Sequence, residues 1–358
     1  MTLIQSRVDP CLFFLKRDNK LVFIVGTHVD DQQVAGTPKE IDSFKKEMAQ
    51  HVTIKPLGIV QKHLGVFYDI GMDRDGPYIE ANTVDFVKGM TNDFKSMTGS
   101  LPKSAATPAL AGTALEKNQG NPIQQPEYRS IVGKLLYFMK KVSPLCANSI
   151  RELSQHLENP GILNWKAVER VLGFLQDSSH CKLKMRAPTE LRVLSACDTD
   201  YATTKLDRRS IGGSLTTVGG SLVQWVSKGH PIVVLSSTEA KYVEMTNAVK
   251  KVCFVQQILS ELETNLTPAV ICEDNTAAIF LATNSQVGMR TKHIDVPYHF
   301  LRDKVEDGEV VFIYVRSENN PNDLLTQNVR QQIHDRHAAS ILIGGTIDYC
   351  WHRDDDKF

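Results

Sequence analysis

Four acidic residues in the C-terminal half stand where a folding chain has least reason to put a charge. Asp198 interrupts the apolar run Leu191-Arg-Val-Leu-Ser-Ala-Cys197, and Asp274 ends the run Ala269-Val-Ile-Cys-Glu273. Glu239 opens a long helical pattern directly after Ser236-Ser-Thr238, and Asp323 opens a short one after Asn319-Asn-Pro-Asn322. Carboxylates brought together from strand ends and helix starts repel one another unless a cation neutralises them. A fold that gathers all four needs a partner for that charge. Paired divalent ions at a phosphodiester-cleaving centre supply one.

The elements around these acids define the fold class. From Leu191 the pattern is strand, strand, strand, helix, strand, helix, helix, strand, helix. Gly212–Val218 and Ser221–Val226 form a hairpin across Gly219-Gly220. This predicts an α/β unit (α+β over the whole chain) with a mixed sheet and flanking helices over residues 189–330. Upstream, Tyr128 to Met185 reads as helical. Its stripes are Ile131, Leu135, Phe138 and Met139, then Ile150, Leu153 and Leu157, then Trp165, Val168, Val171, Leu172 and Leu175. Residues 127–188 are therefore read as a helical connection, and the Pro/Gly-rich residues 98–126 as a linker. Residues 1–97 begin with a hairpin, Cys11–Lys16 and Lys20–Val25, and a return strand after Thr27-His-Val-Asp-Asp31. A helix follows from Pro38 to Met48, then strands over Thr53 to Ile70. Residues 331–358 read as a tail with a solvated acidic end.

Composition excludes several alternatives. Hydrophobic residues make up 42% of 358 and charged residues 23%, so the chain is globular. Lys and Arg total 41 against 41 Asp and Glu, so any nucleic-acid contact must come from local patches rather than a global positive field. One such patch is expected in the helical region, where Arg129, Lys134, Lys140, Lys141, Arg151, Lys166, Arg170, Lys182, Lys184 and Arg186 outnumber the acids. The seven cysteines lack metal-ligand spacing, which argues against a zinc site and for free thiols in a reducing compartment. With no signal peptide and no apolar run of roughly 18 residues, the expected location is cytoplasmic or nuclear, without membrane contact.

Four segments in fixed order resemble a known family. They are Tyr128-Arg-Ser-Ile-Val-Gly-Lys-Leu-Leu-Tyr137, Ser236-Ser-Thr-Glu-Ala-Lys-Tyr242, Glu273-Asp-Asn275 and Arg290-Thr-Lys-His-Ile-Asp-Val-Pro-Tyr-His-Phe300. Together they resemble the C-terminal part of copia-type retrotransposon polyproteins, where the end of the reverse transcriptase precedes a ribonuclease H domain. The resemblance implies a ribonuclease H-like fold for 189–330. It implies that Asp198, Glu239, Asp274 and Asp323 are the catalytic and metal-binding acids. Two Mg²⁺ ions are the implied cofactor, with Asp198 bridging them, Glu239 and Asp274 on one ion and Asp323 on the other. The implied activity is metal-dependent endonucleolytic hydrolysis of the RNA strand of an RNA–DNA hybrid. Other products of such a polyprotein are implied partners. His293 and Asp295 read either as groups on the substrate side or as a capped helix start. The loop Arg316–Pro321 lacks the His that many such domains carry before the fourth acid, with Glu318 the nearest substitute.

Val29-Asp-Asp31 resembles the reverse transcriptase Tyr-Val-Asp-Asp turn, with His28 in place of the tyrosine. The family's other metal-binding aspartate lies on an earlier strand, well upstream, whereas only 29 residues precede Asp30. Residues 1–97 are therefore read as a remnant of palm and thumb, and Asp30 and Asp31 as a pair not expected to support polymerisation. A second reading of the whole uses the same residues: a degenerate element fragment that binds nucleic acid without turning it over.

Overall fold

In the computed structural model, residues 1–178, 182–188, 190–201, 208–263, 266–284 and 295–342 are described. They form three sheets bridged by helices. The first is an antiparallel meander of β1 (Ile4–Gln5), β2 (Leu12–Arg17), β3 (Lys20–His28) and β4 (Asp31–Gly36), in that order. Asp18 and Asn19 take positive φ at the β2–β3 turn, as a two-residue hairpin on right-twisted strands requires. Val29 and Asp30 form the β3–β4 tip, so the turn expected around Asp30 and Asp31 is present. Helix α1 (Pro38–His51) follows. The Thr37 side chain accepts from Glu40 N–H, and Pro38 occupies the first turn, where its missing N–H costs nothing.

The second sheet has the order β5-β6-β7-β8, from β5 (Lys62–His63), β6 (Val66–Asp73), β7 (Gly76–Asn82) and β8 (Leu183–Arg186). Two expectations change here. Residues 53–61 are not strand, and Leu183–Arg186, expected to be helical, is a strand paired with β7. Charge on one edge accounts for the second change. Lys182 pairs with Asp69, Lys184 with Glu80, and Arg186 with Asp73 at 2.5 Å, all across the sheet.

Between β7 and β8 run α2 (Val84–Thr98), α3 (Gln125–Val142), α4 (Ala147–Ser154) and α5 (Ile162–Asp177). The predicted stripes face inward: Ile131, Leu135, Ile150, Leu153, Val168 and Leu172 are fully buried in one core. Of residues 98–126, read as a linker, Thr98 ends α2 and residues 125–126 open α3; residues 99–124 contain no helix or strand, yet they pack as a strap. Pro102, Ala105, Thr107 and Pro108 are buried, and Asp177 accepts from Ser104 Oγ and Ala105 N–H.

The third sheet is mixed, in the order β11-β10-β9-β12-β13. Its strands are β9 (Val193–Asp200), β10 (Ile211–Val218), β11 (Ser221–Gly229), β12 (Ala269–Glu273) and β13 (Val310–Tyr314). The β9–β10–β11 meander is antiparallel, and β12 lies parallel to both β9 and β13. Gly219 and Gly220 turn the β10–β11 hairpin with positive φ. Helices α6 (Ser237–Leu262), α7 (Thr276–Thr283), α8 (Asp295–Glu306) and α9 (Asp323–Thr326) accompany the sheet. This is the ribonuclease H-like mixed sheet with flanking helices that the resemblance implies.

One further element was not expected. Residues 331–342, assigned to the tail, form α10 (Gln331–Leu342). It buries His334, His337, Ala338, Ile341 and Leu342, an i, i+3, i+4, i+7, i+8 stripe, and Ile341 and Leu342 join the helical core.

Candidate functional site

Strand register brings the first two acids together. β12 runs parallel to β9 with Cys272 beside Ala196, so two residues further on Asp274 emerges beside Asp198. Both apolar runs end at the same edge of the sheet, and both carboxylates reach the space under α6. The Thr326 hydroxyl donates to Asp198 Oδ2 at 2.7 Å, which ties the short helix α9, whose first residue is Asp323, to the same place. Asp323 is held near the cluster by its own helix, where Gln327 Nε2 donates to Oδ1 at 3.0 Å. Burial, with the Asp198 charge next in weight, pushes the Asp323 carboxyl up to about 6. Three of the four predicted acids thus meet.

Glu239 takes a different place. Ser236 caps α6 by accepting from Glu239 N–H at 3.1 Å, and Glu239 Oε2 in return accepts from Leu235 N–H at 2.8 Å. This is a reciprocal arrangement close to a capping box. Two residues along a helix turn the side-chain direction by about 200°, so Glu239 and Lys241 project from different faces of α6. Lys241 is the α6 side chain that faces the acids. It heads the stripe Met245, Ala248 and Val252, all fully buried against β9 and β12.

The Lys241 ammonium spans the centre. Nζ lies 2.6 Å from Asp198 Oδ1, donates to Asp274 Oδ1, and lies 3.5 Å from Glu273 Oε1. Burial acts to lower its pKa, but the charges of Asp198, Glu273 and Asp274 outweigh it and hold the group above its ordinary value. Asp274 is held below the usual carboxylate range: burial opposes ionisation, and contacts with Glu273 and Lys241 override it. Glu273 is fully buried, and burial drives its carboxyl well above that range. It accepts from Asp274 N–H and Asn275 N–H and lies 3.4 Å from Cys197 Sγ. Among the described residues, no three His, Cys, Asp or Glu side chains are arranged to hold a metal ion. The paired-magnesium arrangement implied by the resemblance does not fit this donor set, because an ammonium already bridges the two carboxylates that would have to share an ion.

The remaining predicted residues lie elsewhere. Asp30 and Asp31 are exposed at the tip of the first sheet. His293 lies outside the described residues. Asp295 opens α8, and its side chain also lies outside the description. Much of the expected basic patch is engaged. Lys134 pairs with Asp93, Arg129 donates to Leu157 O, Arg170 to Thr107 Oγ1, and the buried Arg151 to Asn148. Lys140, Lys141 and Lys166 stay exposed, with Lys141 over the half-exposed ring of Tyr137.

Lys241, Glu273, Thr326 and His337 were not singled out from the sequence. The signal for Lys241 was periodicity, since it occupies the sheet-facing stripe of α6. His337, whose Nε2 is 4.0 Å from Asp323 Oδ2, belongs to the α10 stripe in the same way.

No family model matches the chain. It is 30% identical over 337 residues to the retrovirus-related Pol polyprotein from transposon TNT 1-94 of Nicotiana tabacum, covering 92% of this chain and 25% of that protein. It is 27% identical over 341 residues to the Pol polyprotein from transposon RE1 of Arabidopsis thaliana (94% and 23%), and 28% identical over 332 residues to that from RE2 of the same plant (90% and 22%). The chain thus spans about a quarter of the length of these relatives. Among solved structures, LC11-RNase H1 isolated from compost is 13% identical with a TM-score of 0.31, covering 41% of this chain and 97% of that one. The same enzyme in complex with RNA/DNA hybrid gives a TM-score of 0.30 at 13% identity, covering 38% and 94%.

Proposed function

We propose that the chain is a piece of a retrotransposon Pol polyprotein, as its similarity to the TNT 1-94, RE1 and RE2 polyproteins supports, and that its C-terminal half is a copia-type, ribonuclease H-like unit that binds RNA–DNA hybrid without cleaving it. One observation carries the reading: the Lys241 ammonium sits between Asp198 and Asp274. Mg²⁺-dependent hydrolysis of the RNA strand, the activity implied by the resemblance, needs two ions about 4 Å apart on shared carboxylates. Here those carboxylates are already neutralised, and Glu239, the acid expected to join them, caps its own helix. What supports binding is a basic, aromatic surface at the end of α3. Lys140 and Lys141 are exposed there beside Tyr137, a combination suited to backbone phosphates. Asp30 and Asp31 stand on a separate sheet, and no polymerase activity is assigned to them. Among the described residues no helix is long and apolar enough to cross a membrane.

The test is a hybrid of labelled RNA and DNA incubated with the full chain in Mg²⁺ and, separately, Mn²⁺. The expected outcome is a retarded complex that weakens as salt rises, with no more RNA cleavage than Asp198→Asn gives. Cleavage that depends on Asp198 would overturn the reading, as would failure to bind hybrid.

A further inference from the structure

Asp198 and Asp274 each leave only 9% of the side chain exposed, Glu273 leaves none, and all three leave neighbouring parallel strands at one edge. Asp198 and Asp274, confined in that way as carboxylates, need a cation in order to stay together. Lys241 supplies it, and its ammonium protons match the oxygens around it: Asp198 Oδ1 at 2.6 Å, Asp274 Oδ1, and Glu273 Oε1 at 3.5 Å. Asp198 Oδ2 is taken by the Thr326 hydroxyl, and Asp323 Oδ1 by Gln327. The ammonium is also anchored. It extends from α6, a helix held to the sheet by Met245, Ala248 and Val252, so its position is set by the packing of that helix.

We propose that Lys241 is the resident cation of this centre, holding Asp198 and Asp274 in place of divalent ions, so that the centre assembles without metal and turns divalent cations away. A divalent ion on the same two oxygens would sit about 2.1 Å from each, well inside the space the ammonium occupies. Binding such an ion requires Lys241 to leave its partners while its helix stays packed. The proposal deepens the non-cleaving reading above and shares with it the placement of Lys241, but its test uses neither nucleic acid nor turnover.

The experiment titrates Mn²⁺ into the metal-free full chain, following bound ion by electron paramagnetic resonance and thermal midpoint by circular dichroism. The wild type is expected to take up no stoichiometric Mn²⁺ below the millimolar range and to keep its midpoint in EDTA. Lys241→Gln removes the charge and keeps most of the length. It is expected to bind Mn²⁺ at least tenfold more tightly than the wild type, and the gain should vanish in Lys241→Gln/Asp198→Asn. Lys241→Arg, which keeps the cation, should match the wild type. If Lys241→Gln folds only when Mn²⁺ is present, that supports the proposal. If it folds under neither condition, the wild type and Lys241→Arg decide. Stoichiometric uptake by either at micromolar Mn²⁺ overturns the proposal, and so does a Lys241→Gln chain that folds and binds no better than its parent. Loss of hybrid binding would remove the functional reading and leave this one standing.

Discussion

Asp323 and His337 sit 4.0 Å apart, too far for a hydrogen bond, and burial moves their proton affinities in opposite directions. The Asp323 carboxyl is pushed up to about 6 by burial and by the charge of Asp198, whereas burial pulls the His337 imidazole down to about 4. Each therefore favours its neutral form. For Asp323, the native chain between pH 3.8 and 6 holds a proton that the unfolded chain has released. Its contribution to stability therefore falls as pH rises through that window, and above about 6 a buried charge remains as a cost. Asp323→Asn removes the ionisable group and keeps an oxygen for Gln327. The variant should be more stable than the parent by about 1–3 kcal/mol at pH 7.5, with the difference shrinking toward zero near pH 4. Urea midpoints at several pH values check this, and a difference that stays constant with pH would contradict it. His337 acts with the opposite sign. Below its ordinary 6.5 the unfolded chain takes up a proton that the native imidazole refuses down to about 4, so its share of stability is lost on acidification.

Among the elements, the strap of residues 99–124 and helix α5 illustrate how a segment without regular structure becomes part of a core. Gly173, in the middle of α5, faces Lys103, and a Cβ added there would lie 1.8 Å from the Lys103 carbonyl oxygen. Both sides of that contact are backbone, so neither can yield by a change of rotamer. Gly173→Ala should lower the unfolding free energy by about 1–3 kcal/mol or more, although alanine is ordinarily the better helix former. A thermal or chemical melt that showed gain rather than loss would mean the strap is not held against α5. The helices of this region were legible because their apolar stripes repeat every three to four residues over two or more turns. The strap was not, because its packing comes from single residues, Pro102, Ala105 and Thr107, with no period to read. β8 was misread for a related reason: four residues are too few to separate a strand from a helix end by period. What makes Leu183–Arg186 a strand is the row of acids on β6 and β7 that pairs with Lys182, Lys184 and Arg186.

Across the whole molecule the charges cancel, and the structure divides the basic side chains between those held in ion pairs and those left for a partner. Lys140 and Lys141 are exposed on α3, which is joined to the third sheet where Trp225 Nε1 donates to Met139 O at 2.9 Å. If they contact phosphate, Lys140→Glu/Lys141→Glu should weaken hybrid binding roughly tenfold or more and reduce the salt dependence by about two released counterions. Fluorescence anisotropy over a range of NaCl concentrations measures both quantities. Unchanged affinity with an unchanged salt slope would place the hybrid elsewhere.

Hydrophobic periodicity and turn chemistry were enough to establish the third sheet, its β10–β11 hairpin and the inward faces of α3, α4 and α5, since each depends on neighbours a few residues apart. The same local signals marked Asp198, Asp274 and Asp323 as charges at element ends. They could not say which side chain of the segment Ser236–Tyr242 would meet those acids, because the answer depends on the rotation of α6 about its own axis. Packing of Met245, Ala248 and Val252 against β9 and β12 sets that rotation, and it turns Lys241 inward while Glu239 closes the helix start. Only the assembled sheet and helix decided that the cation at this centre is a side chain of the protein itself.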